Sequence, residues 1–318
     1  MDTEKSKYCG RFAPSPSGPL HFGSLVAAMG SYLDARHNRG EWLVRIEDLD
    51  PPREKPGSAD GILTTLEAFG FEWDREILYQ NCRHRTKAYR EALDTLSTHA
   101  MAFHCACTRR EINATGLLGI DGPIYPGTCR NDLPEGREAR TIRVRTDDLG
   151  ISFLDLVCGE QQQKIFSQIG DFVIRRADGL AAYQLAVVVD DAFQGVNRVV
   201  RGADLLYSTP RQIFLQQLLK LPTPEYAHLP LVRDGSGRKL SKQSRSLPVD
   251  NQNPLPALVT AWQFLGQIKP DPELQQIENF WQWAIVNWDL SNVPCEPSLQ
   301  PTHHETDHLV PGIGIEPI

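Results

Sequence analysis

A strand, a proline- and glycine-rich loop, a helix and a second strand follow one another within the first 50 residues. Residues 8–13 can form a short strand, and residues 23–36 place apolar side chains at helical spacing with no proline among them. Residues 42–47 predict the next strand. A βαβ unit of this kind requires a parallel sheet, because its two strands run in the same direction. The chain is therefore expected to be an α/β protein.

Further helices and strands are predicted along the rest of the chain from apolar periodicity. Helices are expected at residues 58–69, 84–99, 254–264 and 278–286, and strands at residues 142–145, 151–157 and 198–201. Another helix is expected to begin at Ser208, where a hydroxyl side chain precedes Thr209 and Pro210. The continuous apolar run Leu185–Val189 predicts one more strand, covered by protein on both faces.

Composition and charge exclude several classes of protein. No apolar run approaches the roughly 18 residues that read as a membrane-spanning helix, and residues 1–5 do not resemble a secretory signal. The seven cysteines are odd in number and unevenly spaced, which argues against a secreted disulfide framework. A net charge of −7 does not favour nucleic-acid binding but permits a local basic surface. A cytoplasmic monomer is expected.

The segment His21–Ser24 lies where the first loop enters the first helix. Backbone N–H groups at a helix N-terminus are unpaired and attract anions, Gly23 permits close approach of a phosphate, and His21 can donate to a phosphoryl oxygen. Downstream, Lys239 and Lys242 lie on a glycine-flanked segment. Their ammonium groups could stabilise the negative charge as it moves from the triphosphate to the departing pyrophosphate. Taken separately, the first segment could be a surface loop and the second a solvated basic loop.

Glu47 is expected near the carboxyl end of the second strand. Open α/β sheets bind their ligands at this edge, so the Glu47 carboxylate could hold an ammonium group. An exposed acidic turn, Glu-Asp-Leu-Asp, is the other interpretation of the same residues.

Two distant segments resemble the signature motifs of class I aminoacyl-tRNA synthetases. Arg11–Ser24 resembles the HIGH motif, although it ends His-Phe-Gly-Ser, and Lys239–Gln243 resembles the KMSKS motif, although it runs Lys-Leu-Ser-Lys-Gln. Within that class, Arg45–Asp50, Asp171–Gly179 and Tyr183–Asp191 resemble glutamyl-tRNA synthetases. The resemblance covers roughly residues 8–245 in the same order.

The resemblance implies the substrates and the residues that bind them. It implies ATP, with Mg²⁺, bound by Ser15, His21, Gly23, Ser24, Lys239 and Lys242, of which His21, Lys239 and Lys242 would be catalytic. It implies glutamate bound by Arg11, Ser15, Glu47, Tyr183 and Arg201. The chemistry agrees, because an arginine can grip a carboxylate with two hydrogen bonds while Glu47 pairs with the ammonium group.

The resemblance also implies a division of the chain. The expected parts are a class I synthetase-like Rossmann catalytic domain in two halves, residues 1–104 and 167–237, separated by an inserted α+β subdomain at residues 105–166. A loop and a short helical region would follow at residues 238–300, and a disordered tail at residues 301–318. The chain ends at residue 318, which leaves too little length after Gln243 for an anticodon-binding domain.

This shortened form resembles the truncated branch of the family. Its members activate glutamate without tRNA and transfer it to queuosine in the anticodon of tRNA(Asp). Three alternatives stay open: charging of a tRNA 3′ end, a catalytically silent RNA-binding relative, and a nucleotidylyltransferase that handles no amino acid. The presence of both Arg11 and Glu47 disfavours the last.

Cys105, Cys107 and Cys129 are candidate metal ligands. Three thiolates and a fourth donor suit tetrahedral zinc, although free buried cysteines are also common. His104 is the conventional fourth donor, whereas the family resemblance implies Tyr125. One structural zinc ion is expected in the inserted subdomain.

An arginine-rich stretch is one candidate contact for RNA. Arg143 and Arg145 alternate along a predicted strand, after Arg137 and Arg140. A solvated face and a phosphate-binding track are both compatible with this pattern.

Overall fold

A computed structural model describes residues 7–120, 122–233 and 247–295. The first part of the chain forms β1 (Cys9–Phe12), α1 (Phe22–His37), β2 (Glu41–Ile46), α2 (Ser58–Ala68), β3 (Leu78–Tyr79) and α3 (Arg83–Thr98). The middle part forms β4 (Ala102–Cys105), α4 (Arg109–Asn113), β5 (Leu118–Gly119), β6 (Gly122–Pro123), β7 (Thr141–Val144), β8 (Gly150–Asp155), β9 (Gly159–Lys164), α5 (Ile165–Gln168) and β10 (Val173–Arg175). The last part forms α6 (Tyr183–Gln194), β11 (Arg198–Gly202), α7 (Thr209–Leu219), β12 (Glu225–Leu229), α8 (Pro254–Phe264) and α9 (Ile277–Asn287).

A parallel sheet organises the first and last parts of the chain. β1 pairs with β2 and β2 with β3, all in parallel, and β11 pairs in parallel with β12. Asn197, just before β11, joins the two groups, because its backbone N–H donates to the Cys9 carbonyl at 3.0 Å. Helix α1 packs against both β1 and β11. The predicted α/β fold with a parallel Rossmann-type sheet is confirmed.

The middle part adds two smaller layers of strands. β4, β7 and β10 form an antiparallel sheet, and β5 and β6 form a short hairpin. β8 and β9 pair with each other, but Asp155 at the end of β8 also aligns in parallel with Tyr226 of β12. Through β8, the middle part of the chain therefore joins the central sheet next to β12.

The prediction of a strand at Leu185–Val189 is wrong. These residues lie in α6, which ends at Gly195 with a left-handed backbone (φ 71°). The helix is buried around most of its circumference, between α3 and α7, so its apolar residues form an unbroken run. Periodicity alone does not separate such a helix from a buried strand.

The two C-terminal helices pack on the outer face of α1. The indole nitrogen of Trp281 donates to the Phe69 carbonyl at 2.9 Å, and that of Trp288 to Asp34 at 3.3 Å. The rings of Tyr32 and Trp281 meet edge to face with centroids 4.8 Å apart. The expected helices at 254–264 and 278–286 are thus part of the main apolar core. The predicted disordered tail lies outside the described residues.

None of the helices within residues 7–120, 122–233 and 247–295 has the length and apolar character needed to cross a lipid bilayer.

Candidate active site and metal centre

A cavity of about 600 Å³ opens at the carboxyl ends of β1, β11 and β12. Its wall includes the loop after β1, the first turns of α1, and the residues that follow β11 and β12. The predicted ATP-binding residues found on this wall are Ser15, His21, Gly23 and Ser24. Ligands of open α/β sheets bind at this edge, where the strand order reverses.

His21 is the N-cap of α1 and faces this cavity. Its Nδ1 accepts a hydrogen bond from the backbone N–H of Ser24 at 3.2 Å. In the neutral ring the proton is then on Nε2, which lies 3.2 Å from the Ser24 hydroxyl. The cap therefore orients a polarised N–H at the positive end of a helix dipole, a suitable donor for a phosphoryl oxygen.

Lys239 and Lys242 lie outside the described residues. The chain on either side of them reaches the cavity. Val232 is part of its wall, and Pro248 forms an antiparallel bridge with His21. The N–H of Val249 also donates to the Leu20 carbonyl at 3.1 Å.

Arg11, Arg45, Glu47 and Asp191 form a buried cluster of ion pairs next to the cavity. Asp191 accepts from Arg11 Nε at 3.1 Å and from Arg45 Nη1 at 2.7 Å, and Arg45 Nη2 lies 3.3 Å from Glu47. Burial works to raise the pKa of Asp191, but the two guanidinium groups hold it below its ordinary value. The clustering of Arg11 and Glu47 was expected from the sequence, whereas the central roles of Asp191 and Arg45 were not.

Glu47 directly follows β2, as predicted, and its side chain is only 10% exposed. Its N–H donates to the Pro14 carbonyl at 3.0 Å, which fastens it to the loop lining the cavity. Burial raises the pKa of Glu47, and Arg45 and Arg11 offset only part of this effect. A desolvated carboxylate of this kind gains much from a cationic ligand.

Tyr183 and Arg201 complete the predicted glutamate-binding set. Tyr183 is the first residue of α6, and its hydroxyl lies 3.5 Å from Arg201 Nη1. Burial raises the pKa of Tyr183 although Arg201 and Arg11 act to lower it, so the hydroxyl stays protonated as a hydrogen-bond donor. Arg11 and Arg201 directly precede Phe12 and Gly202 of the cavity wall. The structure thus places Arg11, Glu47, Tyr183 and Arg201 together beside the cavity that contains the predicted ATP-binding residues.

Cys105, Cys107 and Cys129 form the only group of potential metal-ligating His, Cys, Asp and Glu side chains found in residues 7–120, 122–233 and 247–295. Their sulfur atoms lie within 4.8 Å of one another, and those of Cys107 and Cys129 are 3.6 Å apart. Zn–S bonds of about 2.3 Å at tetrahedral angles imply about 3.8 Å between sulfurs. The three cysteines therefore fit a zinc ion.

The two candidates for the fourth donor lie in different surroundings. The Tyr125 hydroxyl is 3.5 Å from Cys105 Sγ and 4.0 Å from Cys107 Sγ. His104 is exposed while its neighbour Cys105 is buried, so the two side chains leave β4 on opposite faces. The arrangement favours Tyr125.

Arg143 contacts two members of the proposed zinc site. Its Nε donates to Cys105 Sγ at 3.3 Å, and its guanidinium carbon lies 4.1 Å from the centre of the Tyr125 ring. Burial works to raise the pKa of Cys105, but Tyr125 and Arg143 lower it below its ordinary value. Arg143 is itself buried, so it belongs neither to a solvated face nor to an exposed RNA-binding track.

Comparison with known proteins identifies the family to which this chain is similar. A family model described as the catalytic domain of class I tRNA synthetases (E and Q) matches residues 8–254. A glutamyl-Q tRNA(Asp) synthetase from Chromobacterium violaceum is 52% identical over 294 residues, covering 92% of this chain and 98% of that protein. A protein of the same name from Dechloromonas aromatica is 54% identical, covering 91% and 96%.

Solved structures of related proteins show the same fold. A crystal structure of a glutamate tRNA ligase from Elizabethkingia meningosepticum, in complex with its amino acid, superposes with a TM-score of 0.79 at 24% identity. The match covers 95% of this chain and 68% of that chain. The glutamate-tRNA synthetase of Elizabethkingia anophelis gives a TM-score of 0.78, also at 24% identity, covering 95% of this chain and 69% of that chain.

Proposed function

Since this chain belongs to the class I tRNA synthetases of the E and Q type, we propose that it joins glutamate to queuosine in the anticodon of tRNA(Asp). Glutamate would first be activated by ATP without tRNA. The single observation that supports this best is the position of His21, at a helix N-terminus on a nucleotide-sized cavity, beside the buried group of Arg11, Glu47, Tyr183 and Arg201. The name of its half-identical relatives, glutamyl-Q tRNA(Asp) synthetase, supports tRNA(Asp) as the acceptor.

In the activation step, an oxygen of the glutamate α-carboxylate attacks the α-phosphorus of ATP. The bond to the bridging oxygen breaks, and pyrophosphate leaves. His21 Nε2 and the helix N-terminus stabilise the charge that builds on the phosphoryl oxygens. Lys239 and Lys242, on the segment whose flanks reach the cavity, stabilise the departing pyrophosphate. Bound Mg²⁺ supplies further neutralisation of the phosphate charge.

Glutamate is recognised by charge at both ends. Glu47 pairs with the α-ammonium group, and an arginine of the site, Arg11 or Arg201, binds the γ-carboxylate, with Tyr183 donating its hydroxyl. Ser15 lies on the cavity wall, where it can contact either substrate. Glutamine lacks the second carboxylate and would lose the charge-assisted hydrogen bonds to this arginine, so it should be rejected.

In the transfer step, a hydroxyl of the cyclopentene ring of queuosine attacks the carbonyl carbon of glutamyl-adenylate. The C–O bond to phosphate breaks, the attacking hydroxyl passes its proton to the departing phosphate, AMP leaves, and an ester forms on the base. No covalent intermediate with the enzyme is needed. The rate comes from positioning and from stabilised charge.

The remaining assignments concern the parts around the site. Cys105, Cys107, Tyr125 and Cys129 would hold one structural zinc, which cross-links the loop after β4 to the following turn. We also propose that the chain divides into domains after residues 104, 166, 237 and 300. The protein would be cytoplasmic and monomeric. The buried, closely spaced sulfur atoms support the zinc assignment.

Exchange of radioactive pyrophosphate into ATP tests the activation step. Glutamate alone should drive exchange in the absence of RNA, and glutamine should not. No exchange would favour a silent RNA-binding relative, and exchange without any amino acid would favour a nucleotidylyltransferase.

Transfer of labelled glutamate tests the acceptor. Label should enter tRNA(Asp) that carries queuosine, but not the same tRNA without the modification and not tRNA(Glu). Digestion and mass analysis should place the glutamyl group on the anticodon nucleoside, in a linkage cleaved by mild base. Label on the 3′ end of tRNA(Glu) would instead identify a shortened glutamyl-tRNA synthetase.

A further inference from the structure

The guanidinium of Arg201 is held by hydrogen bonds on several sides. Nε donates to His228 Nε2 at 3.2 Å, and Nη2 donates to the Thr209 hydroxyl at 2.8 Å and to the Leu205 carbonyl at 3.4 Å. Nη1 is the nitrogen nearest the Tyr183 hydroxyl. Two edges of the guanidinium are therefore tied to the protein, and the Nη1 edge faces the predicted amino-acid pocket.

These hydrogen bonds determine the tautomer of His228. Arginine can only donate, so His228 Nε2 must accept, and the ring carries its proton on Nδ1. Nδ1 then donates to Asp155 Oδ2, 2.6 Å away. Arg201 thus donates to the neutral imidazole of His228, which in turn donates to the carboxylate of Asp155.

Charge and burial support this tautomer. The side chains of His228 and Asp155 have no solvent exposure, and Arg201 is 5% exposed. Burial lowers the pKa of His228, with Arg201 acting in the same direction, and Asp155 offsets only part of this shift. Burial works to raise the pKa of Asp155, but His228 holds it below its ordinary value. A neutral imidazole therefore separates one buried cation from one buried anion.

The three residues come from three neighbouring strands. Arg201 lies in β11 and His228 in β12, where they are register partners, and Asp155 ends β8. Asp155 also accepts from the N–H groups of His228, Val157 and Cys158 through Oδ1, so its own position is fixed by the backbone. The chain of hydrogen bonds connects the end of the inserted segment with the amino-acid pocket.

We propose that His228 and Asp155 are positioning residues for Arg201, fixing the plane of its guanidinium so that Nη1 points at the carboxylate of bound glutamate. This inference rests on the proposed function, because it takes Arg201 to contact glutamate. Thr209, the first residue of α7, holds the second edge of the same guanidinium. Neither His228 nor Asp155 needs to touch either substrate.

The consequence is specific to one substrate. A guanidinium free to rotate would bind the carboxylate less well, because ordering it would cost entropy at the moment of binding. The nucleotide is bound by other residues. Loss of the positioning chain should therefore raise the KM for glutamate and leave the KM for ATP unchanged.

The test compares His228→Gln with His228→Leu in glutamate-driven pyrophosphate exchange. The Gln side chain can still present an acceptor to Arg201 Nε, whereas Leu cannot. We expect Leu to raise the KM for glutamate about 10- to 100-fold, with the KM for ATP within about 2-fold of the parent, and Gln to restore most of the loss. An equal rise for Gln and Leu, or a rise in both KM values together, would overturn the inference.

Two further variants keep the test decisive. Thr209→Val removes the other side-chain acceptor of Arg201 with little change in volume, and it should raise the KM for glutamate even if His228→Leu does not fold. Gln267→Leu is the matched control, because Gln267 is a buried polar residue that donates to the Asp289 carbonyl at 3.0 Å, in the C-terminal part of the chain. It should alter stability without altering the KM for glutamate. If His228→Leu does not fold, an unchanged KM for glutamate in Thr209→Val would overturn the inference.

The inference and the proposed function can fail separately. Absence of glutamate-driven exchange in the parent enzyme would refute the proposed function. Normal exchange in the parent together with an unchanged KM for glutamate in all His228 and Thr209 variants would refute only the positioning role.

Discussion

Arg45 and Asp191 form a buried ion pair between β2 and α6, with Nη1 and Oδ1 2.7 Å apart. Arg45 comes from β2 and Asp191 from α6, so the pair connects the first part of the chain with the last part. Asp191 also binds Arg11, and Arg45 also binds Glu47. Two residues that need not contact substrate thus set the position of two that are proposed to do so.

Asp191→Asn should destabilise the protein by about 3 kcal/mol, because two buried guanidinium groups lose their shared negative charge. Denaturant unfolding measures this difference. Glu91→Gln is the control, since the Lys87–Glu91 pair is exposed and should contribute less than about 0.5 kcal/mol. Equal effects of the two substitutions would contradict the importance of the buried cluster.

Binding of glutamate should weaken as the pH falls through the raised pKa of Glu47. Burial keeps that pKa above its ordinary value, so the carboxylate is neutralised, and ceases to pair with the ammonium group, at a higher pH than an exposed glutamate would. The KM for glutamate, measured against pH, should rise on the acidic side. Glu47→Gln should raise this KM about 10-fold or more at neutral pH.

The Glu47→Gln variant also distinguishes the titration of Glu47 from the titration of glutamate itself. Free glutamate titrates its own side chain near pH 4.3, below the transition expected for the enzyme. In Glu47→Gln the higher transition should disappear and only the substrate's own titration should remain. Persistence of the higher transition would assign it to another group.

His21→Asn should lower the rate of pyrophosphate exchange about 100-fold, because a donor to the phosphoryl oxygens is lost. Its stability should be nearly unchanged, since asparagine is also a good N-cap. His21→Ala should lose a similar rate and also about 1 kcal/mol of stability, because the cap to Ser24 is removed. A fully active His21→Asn enzyme would show that His21 acts only as a cap.

Cys129→Ser should remove the bound zinc and lower the melting temperature, both measurable by metal analysis and thermal unfolding. Tyr125→Phe should weaken zinc binding, whereas His104→Ala should not, because His104 leaves β4 on the exposed face. Cys82→Ala is the control, as Cys82 lies outside the cysteine cluster. Loss of zinc in His104→Ala would reverse the assignment of the fourth donor.

Most helices could be predicted from the sequence because their apolar residues repeat on one face. Helix α8 has the predicted bounds, and α1, α2, α3 and α9 differ by a residue at one or both ends. The prediction for the segment that forms α6 was wrong, because protein surrounds this helix and its apolar run shows no polar face. Gly195 at its end was the available signal, since a left-handed glycine commonly terminates a helix. The short strands β3 and β12 were not predicted.

The site could be predicted only in part. Arg11, Glu47, Tyr183 and Arg201 were identified through their motifs, and the structure brings them together. Asp191 was quoted within a motif, but its ion pairs with Arg11 and Arg45 span more than 140 positions, which no local pattern reveals. The hydrogen bond between Asp155 and His228 was missed for the same reason, because their pairing depends on which strands become neighbours.

The indole hydrogen bonds from α9 to Phe69 and Asp34 have a consequence for the smallest unit that can fold. A fragment ending before α8 would expose to water the aromatic face formed by Tyr32, Trp42 and Phe71 and would leave Gly70 without its cover from Trp281. The helices α8 and α9 are therefore part of the smallest unit that can fold. A truncation from the C-terminal side must leave both helices in place if the native fold is to be retained.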